Sequence, residues 1–545
     1  MIVFRVDTRC GLGHLMRMKW LALACSEQGQ QCHFLLEQTG LAADFFQNFP
    51  AQIHWLPAGL TETEDAVWCL EKLSALNAAA GNETAVQWVI VDGYGFGLCW
   101  ETTIKQAGYA LVAIDDLERS HQADVIVDAK WQGCRTLQRY MPASEGQTQP
   151  VRLLGPDFAI LAPEYSSGKD VVRSRQLMFA LGGGGDWQQL TAVIALLLTD
   201  AALESWTLLV VIGPYAVNTA ELEQLSLRYP QLQLVRAPAS LSAYYRSSQL
   251  FVGALGTSLY ELAATKTPAL TFALADNQQN QLQDLADLGH FLHLDSLIAI
   301  PAAALAQLVL VCVQNIERVK ALRQSAKLEV DGLGARRIAH FLLTGQLPVP
   351  VSVERAENTA TAEKIFLTPA LSLRAVADTD INAYLTARNR PDNSWRMTIT
   401  HSIPRHEHYC WWFSQQGSQQ SSQQRQSFVL EQNGQALLYV WQQLRSFQGQ
   451  NYWIGGWFAA SDQVNFSHAQ LILDWQLQFS AKQQPDAIWV AVIHQENKFV
   501  QLLNQRAGFV RLEPDSLQCQ ATQHFFPQAD HTLFHFVGKW PHQES

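Results

Sequence analysis

Short apolar runs, each handing over to a stretch with helical spacing, recur along the first 345 residues, and few folds accommodate that rhythm. Ile2–Val6, Cys32–Leu36, Trp88–Asp92 and Leu111–Asp115 read as buried strands, and Leu15–Ala24 recurs at helical spacing after the first. Leu177–Leu181, Thr207–Ile212, Gln233–Arg236, Leu250–Ala254 and Ala269–Ala273 repeat the pattern, with helical stretches such as Leu190–Leu198 between them. Strand–helix alternation of this kind builds a parallel sheet with helices on both faces. The expected fold is therefore α/β: two consecutive Rossmann-like lobes, 1–168 and 169–346. Ligands of such lobes sit beyond the carboxyl ends of the strands, which here means a cleft between them.

The pattern breaks at 347–364 (LPVPVSVERAENTATAEK), a segment of small polar residues and prolines that reads as a linker. Residues 365–520 form a third unit, followed by a tail, 521–545. Within it, Ser414–Ser427 is low-complexity and reads as a loop. Asn433-Gly434 then separates two apolar runs, which signals a hairpin with a type I′ turn. With a helix at Ala469–Phe479, the third unit is expected to be a small α+β domain.

Composition narrows the function. A net charge of −11 argues against a nucleic-acid partner, whose phosphates favour clustered Lys and Arg. Nine scattered cysteines with no CxxC pair read as a reduced, cytoplasmic protein, and no metal-ligand cluster stands out. The opening MIVFRVD is charged and strand-like, so no signal peptide is expected there. The most apolar stretch, Leu297–Val313, contains Pro301 and Gln307 and reads as a buried helix; no membrane association is expected.

Three segments carry candidate chemistry. The first is Arg5-Val-Asp7-Thr-Arg-Cys-Gly11-Leu-Gly13-His14-Leu-Met-Arg17, joining a strand to a helix. Glycines allow a tight turn and close approach to a ligand, and a helix start offers free N–H groups to an anion. His14 stands at that start, and an imidazole pKa of about 6.5 suits proton transfer near neutrality. Alone, the segment reads more readily as a capping turn with a surface histidine. Cys10 lies four residues before His14, but no third group at recognisable spacing completes a nucleophilic set. The second segment, Gly182-Gly183-Gly184-Gly185-Asp186, follows a strand and exposes amides that suit a pyrophosphate; no Gly-Lys-Ser/Thr follows, so it is not a P-loop. The third, Gly256-Thr-Ser258-Leu-Tyr-Glu261, opens a helix; its amides and hydroxyls suit phosphate, and the Glu261 carboxylate suits ribose hydroxyls. Asp276-Asn277-Gln278, after the next strand, edges the same pocket.

Taken in order, these segments resemble the UDP-2,4-diacetamido-2,4,6-trideoxy-β-L-altropyranose hydrolases of pseudaminic acid biosynthesis, relatives of the GT-B glycosyltransferases. The resemblance covers about residues 1–340. It also rests on Asp92-Gly-Tyr94-Gly, Ile114-Asp115-Asp116-Leu117, Leu154-Gly155-Pro156 and Leu161-Ala-Pro-Glu164-Tyr165. It implies that water displaces UDP from the anomeric carbon with inversion, His14 acting as general base and no cofactor or metal being required. It further implies substrate contacts from Asp7, Gly13, Arg17, Tyr94, Gly183, Asp186, Gly256, Ser258, Glu261, Asn277 and Gln278. The chain departs from the family at Gly93, often His, and at Asp128, commonly Asn. A GT-B glycosyltransferase and a non-catalytic nucleotide-sugar scaffold are the alternatives.

Residues 371–513 resemble the GNAT acetyltransferases that act on amino-sugar nucleotides, through Leu373-Arg374, Asp380, Arg388-Asn389-Arg-Pro391, Glu407-His408, Trp411, Asn497 and Gly508-Phe509. That resemblance implies acetyl-CoA as cofactor. Such folds hold the pyrophosphate on a glycine-bearing loop that opens a helix, whereas the matching stretch here, Ser461–His468, has no glycine. Asn504 stands where a thiolate-protonating Tyr is usual. The expectation is a diverged GNAT-like domain with weakened or lost acetyl-CoA use.

Overall fold

Ile2–Val6 has no exposed residue, as a strand covered on both faces of a parallel sheet must have none. The computed structural model describes residues 1–38, 46, 49–80, 85–141, 149–166, 171–256, 258–274, 280–348, 363–416 and 425–541. The chain divides into two compact units: Met1–Ala306 with Val319–Glu357, and Gln307–Arg318 with Asn358–Ser545.

The first unit holds two doubly wound lobes. In one, β1 (Ile2–Val6), β2 (Cys32–Glu37), β3 (Gln52–Leu56), β4 (Trp88–Asp92), β5 (Leu111–Ile114), β6 (Val125–Asp128) and β7 (Val151–Leu154) form a parallel sheet in the order β3-β2-β1-β4-β5-β6-β7. In the other, β8 (Ser174–Ala180), β10 (Thr207–Ile212), β12 (Leu232–Arg236), β13 (Ser248–Ala254), β14 (Ala269–Phe272) and β15 (Leu292–Leu294) run parallel in the order β12-β10-β8-β13-β14-β15. Both orders step outward from the first strand and then reverse, the Rossmann-like arrangement.

Two features depart from the sequence reading. Half of the glycine run becomes a short strand, β9 (Gly184–Asp186), paired in parallel with β11 (Tyr215–Val217). The helix Gly334–Thr344, counted by sequence within the second lobe at 169–346, packs on the first. Its Ala335, Ile338, Ala339, Phe341 and Leu342 join a core with Leu15, Met18, Ala22 and Cys25 of helix α1 (Leu12–Glu27). Gly334 permits this crossing, since a Cβ there would stand 2.2 Å from the Ala159 carbonyl oxygen.

The second unit is built on an eight-stranded mixed sheet. Its strands are β16 (Ile365–Phe366), β17 (Leu371–Ala375), β18 (Gln426–Gln432), β19 (Gln435–Phe447), β20 (Gln450–Ala459), β21 (Ile488–His494), β22 (Val510–Arg511) and β23 (Phe534–Lys539), in the order β16-β17-β18-β19-β20-β21-β23-β22. Asn433 and Gly434 make the tight β18–β19 turn with φ of 51° and 81°, as type I′ requires. Strands β20 and β21 are parallel and pair at only two positions, Tyr452 with Ile488 and Trp453 with Trp489. The segment set apart as a tail, 521–545, supplies β23, an interior strand, so the domain boundary at 520 moves to at least Lys539. Residues 349–362 of the linker and 417–424 of the low-complexity stretch lie outside the described residues.

No single helix among the described residues is long and apolar enough to cross a membrane. Most of Leu297–Val313 forms the helix Ala302–Gln314, whose Leu305, Leu308, Val309 and Cys312 are buried.

Candidate active site at the paired switch points

Sheet order determines what meets at the cleft. In the first lobe the order reverses between β1 and β4, where Val6 lies opposite Asp92. The chain leaving β1 turns through Gly11, at φ 104°, into α1, which places His14 in its first turn. In the second lobe the reversal falls between β8 and β13, whose carboxyl ends lead into Gly182–Gly185 and into Gly256–Ser258. Both pairs of loops line one cavity of about 450 Å³, which includes Gly13, His14, Arg17, Tyr94, Gly183, Gly256 and Ser258. The lobes approach closely here, for a Cβ on Gly183 would lie 3.2 Å from the Leu12 side chain.

The dominant feature is a buried ion cluster around Asp92. His14 Nδ1 lies 2.7 Å from Asp92 Oδ1, while Arg17 reaches the same carboxylate through Nε at 2.6 Å and Nη2 at 2.5 Å. Complete burial opposes the charge on Asp92, but Arg17 and His14 outweigh it and hold the carboxyl down to about 2. His14 Nδ1 has two neighbours, Asp92 Oδ1 at 2.7 Å, which only accepts, and Arg17 Nη2 at 3.0 Å, which only donates; the shorter contact is met by a proton on Nδ1 given to Asp92. Nε2, for which no partner is found among the described residues, is thereby left as the basic nitrogen of a ring that lines the cavity. The Tyr94 ring packs edge-on against His14 at 5.0 Å, and its hydroxyl donates to Asp116 Oδ1 at 2.9 Å. Asp92 was quoted as part of a motif but not as a site residue. Its role depends on β1 and β4 being neighbours, which no local pattern discloses.

Other expected residues take different places. Asp7 is buried away from the cavity lining; it caps the turn Thr8–Cys10 and pairs with Arg9 at 2.9 Å. Asp186 is exposed and accepts the Gln188 N–H, so it serves the helix that follows and does not reach the cleft lining. Glu261 stands one turn behind Ser258, off the lining; burial among protein groups raises its carboxyl to about 7, although the Tyr165 and Tyr245 hydroxyls pull the other way. Asn277 and Gln278 lie outside the described residues; Asn280, just beyond, lines the cavity. Burial pushes the Cys10 thiol up to about 11, against a thiolate role.

Two of the positions where the chain differs from the hydrolases it resembles, Gly93 and Asp128, have distinctive surroundings. A Cβ on Gly93 would fall 2.4 Å from the Asp7 Cβ and 3.0 Å from the Phe96 ring, so Asp7 and Phe96 occupy the space a side chain there needs. Burial raises the Asp128 carboxyl above its ordinary range, although Arg139 forms an ion pair with it and the Tyr140 hydroxyl donates to it at 2.6 Å.

In the second unit, the stretch before helix α2 (Phe466–Gln483) is the expected acetyl-CoA phosphate cradle. Asn465 accepts the His468 N–H at 3.1 Å, and His468 Nδ1 in turn accepts the Asn465 N–H at 3.4 Å. The Gln463 N–H goes to the Ser461 hydroxyl, and Asp462 forms an ion pair with Arg390. Three amides of the stretch, at Gln463, Asn465 and His468, already have side-chain acceptors, and the Asp462 carboxylate stands beside them. Asn504 donates to the Val500 carbonyl at 2.9 Å, and as an amide it has no acidic proton for a thiolate.

No family model matches the chain, and no curated protein matches it. Among solved structures, it is similar to MurG of Acinetobacter baumannii, at 15% identity and a TM-score of 0.42, over 63% of this chain and 99% of that one. A putative UDP-N-acetylglucosamine 2-epimerase from Listeria monocytogenes is similar at 14% identity and a TM-score of 0.44, over 63% and 96%. A GNAT-family acetyltransferase from Streptococcus pneumoniae is similar at 12% identity and a TM-score of 0.25, over 32% and 99%. Likenesses this remote carry no part of the functional argument, which stands on the cleft. The strand orders themselves define two Rossmann-like lobes followed by an α+β unit with one divergent parallel pair.

Proposed function

We propose that the first unit hydrolyses a UDP-linked 2,4-diacetamido-2,4,6-trideoxy sugar, releasing UDP and the free sugar, as the resemblance to the hydrolases of pseudaminic acid biosynthesis implies. The observation that carries this reading is the Asp92–His14 pair at the mouth of a cleft whose opposite wall is two backbone-rich loops. His14 Nε2 accepts a proton from water as the water oxygen bonds to the anomeric carbon. The anomeric C–O bond breaks, and its electron pair leaves with UDP. Asp92 holds the imidazole in the required tautomer and stabilises the imidazolium that forms. The amides around Gly256 and Ser258, at a helix start, suit the diphosphate.

The test is incubation with the UDP-diacetamido sugar and no acceptor. UDP and free sugar are expected in equal amounts, and His14→Ala is expected to slow their release about 10²- to 10⁴-fold. Release of UDP only when an acceptor hydroxyl is supplied would assign a glycosyltransferase instead. Unaltered turnover in His14→Ala would remove His14 from the chemistry.

A further inference from the structure

A cavity of about 910 Å³ lies within the second unit, on the sheet where β20 and β21 part. Of the four arginines that line it, Arg388 and Arg425 bear most on what it can hold. Neither has a carboxylate within ion-pair distance among the described residues, whereas Arg374 and Arg390 of the same unit each do. The Arg425 guanidinium carbon lies over the Trp441 ring, 3.8 Å from its centroid, and 5.2 Å from that of Trp411, and Arg425 donates to the Tyr384 hydroxyl at 2.9 Å. These contacts hold the group in place without neutralising it. Arg388 donates through Nη2 to the Ile399 carbonyl at 2.7 Å, while its Nη1 and the Nε of Arg425 are buried without a partner. Burial depresses the Arg388 guanidinium below its ordinary range, Tyr384 opposing and the charge of Arg425 adding to it. The acids at the cavity, Asp392, Glu407 and Asp462, are exposed, and Asp462 is already engaged by Arg390.

Two partly buried cations held close together without a counter-charge are a standing cost to the fold. Such local conflicts are expected where a ligand relieves them. We propose that this cavity is a binding site for a phosphate- or diphosphate-bearing small molecule, gripped by Arg388 and Arg425 and not by the start of α2. Trp441, Trp411 and Tyr384 hold the Arg425 guanidinium, and the Ile399 carbonyl holds that of Arg388, so little side-chain entropy is lost when the anion arrives. The site is independent of the reaction in the first unit and needs no acetyl-CoA.

Calorimetry of the full chain with inorganic pyrophosphate, and separately with acetyl-CoA, tests this. The wild type is expected to show a pyrophosphate-binding event that Arg388→Gln and Arg425→Gln each weaken at least tenfold. Arg388→Lys, which keeps the charge, is expected to retain most of it. Circular dichroism and unchanged UDP release show that the variants are folded. Pyrophosphate isotherms that superpose for wild type and both Gln variants would overturn the proposal, as would no binding heat at all. Acetyl-CoA binding that is tighter than pyrophosphate and indifferent to Arg388→Gln would place phosphates at α2 and overturn it too.

Discussion

At the scale of single residues, the account turns on Asp92. Replacing it by Asn keeps the shape of the site but lets the amide donate to Nδ1, which moves the ring proton to Nε2 and removes the base. Asp92→Asn is expected to lower turnover about 10²- to 10⁴-fold with a much smaller change in KM, read from steady-state UDP release. Glu261 makes a separate prediction. Its carboxyl is raised from 4.5 to about 7 in the folded chain. Below about pH 4.5 folded and unfolded forms both hold the proton; between there and about 7 only the folded form does, so Glu261 makes stability fall as pH rises through that window. The melting temperature of Glu261→Gln should therefore gain on the wild type between pH 5 and pH 8, and parallel profiles would contradict the assignment. His14 was legible as a candidate because glycines and a helix start sit beside it in the chain. Asp92 was not, because 78 residues separate the two and only strand order unites them.

At the scale of elements, period and burial made the parallel strands legible. Trp88–Asp92 and Thr207–Ile212 have the bounds expected from their apolar runs. Strands β6, β7 and β15 escaped notice because three or four residues carry too little pattern, and β3 because its polar Gln52 and His54 interrupt the run. The glycine run was legible only in part. Four glycines allow a phosphate-binding loop, but they equally allow Gly184 and Gly185 to lie against β11, where a Cβ on Gly184 would stand 3.2 Å from Tyr215. The crossing helix supplies the prediction at this scale. Gly334→Val drives a side chain into the Ala159 backbone and should cost about 1–3 kcal/mol or more, measured as a lower urea midpoint. An unchanged midpoint would mean that the helix does not cross as closely as described.

Across the whole molecule, the first unit sets its chemistry where two sheets reverse, so the topology already chooses which loops face the ligand. The second unit keeps a divergent parallel pair, and its helix start at Asn465 is closed on itself by a capping box with His468. The missing glycines at Ser461–His468 were legible in the sequence; whether acetyl-CoA still binds is what the calorimetry decides. The unpaired Arg388 and Arg425 were not readable, because an arginine shows its lack of a partner only once the neighbours are in place. The central claim is that water, activated by His14, attacks the anomeric carbon. Hydrolysis of the UDP-diacetamido sugar in oxygen-18 water, with mass spectrometry of both products, tests it most directly. Label in the free sugar and none in UDP is the predicted result, with the rate collapsing in His14→Ala. Label in the UDP phosphate would mean that the P–O bond breaks, and would contradict the account.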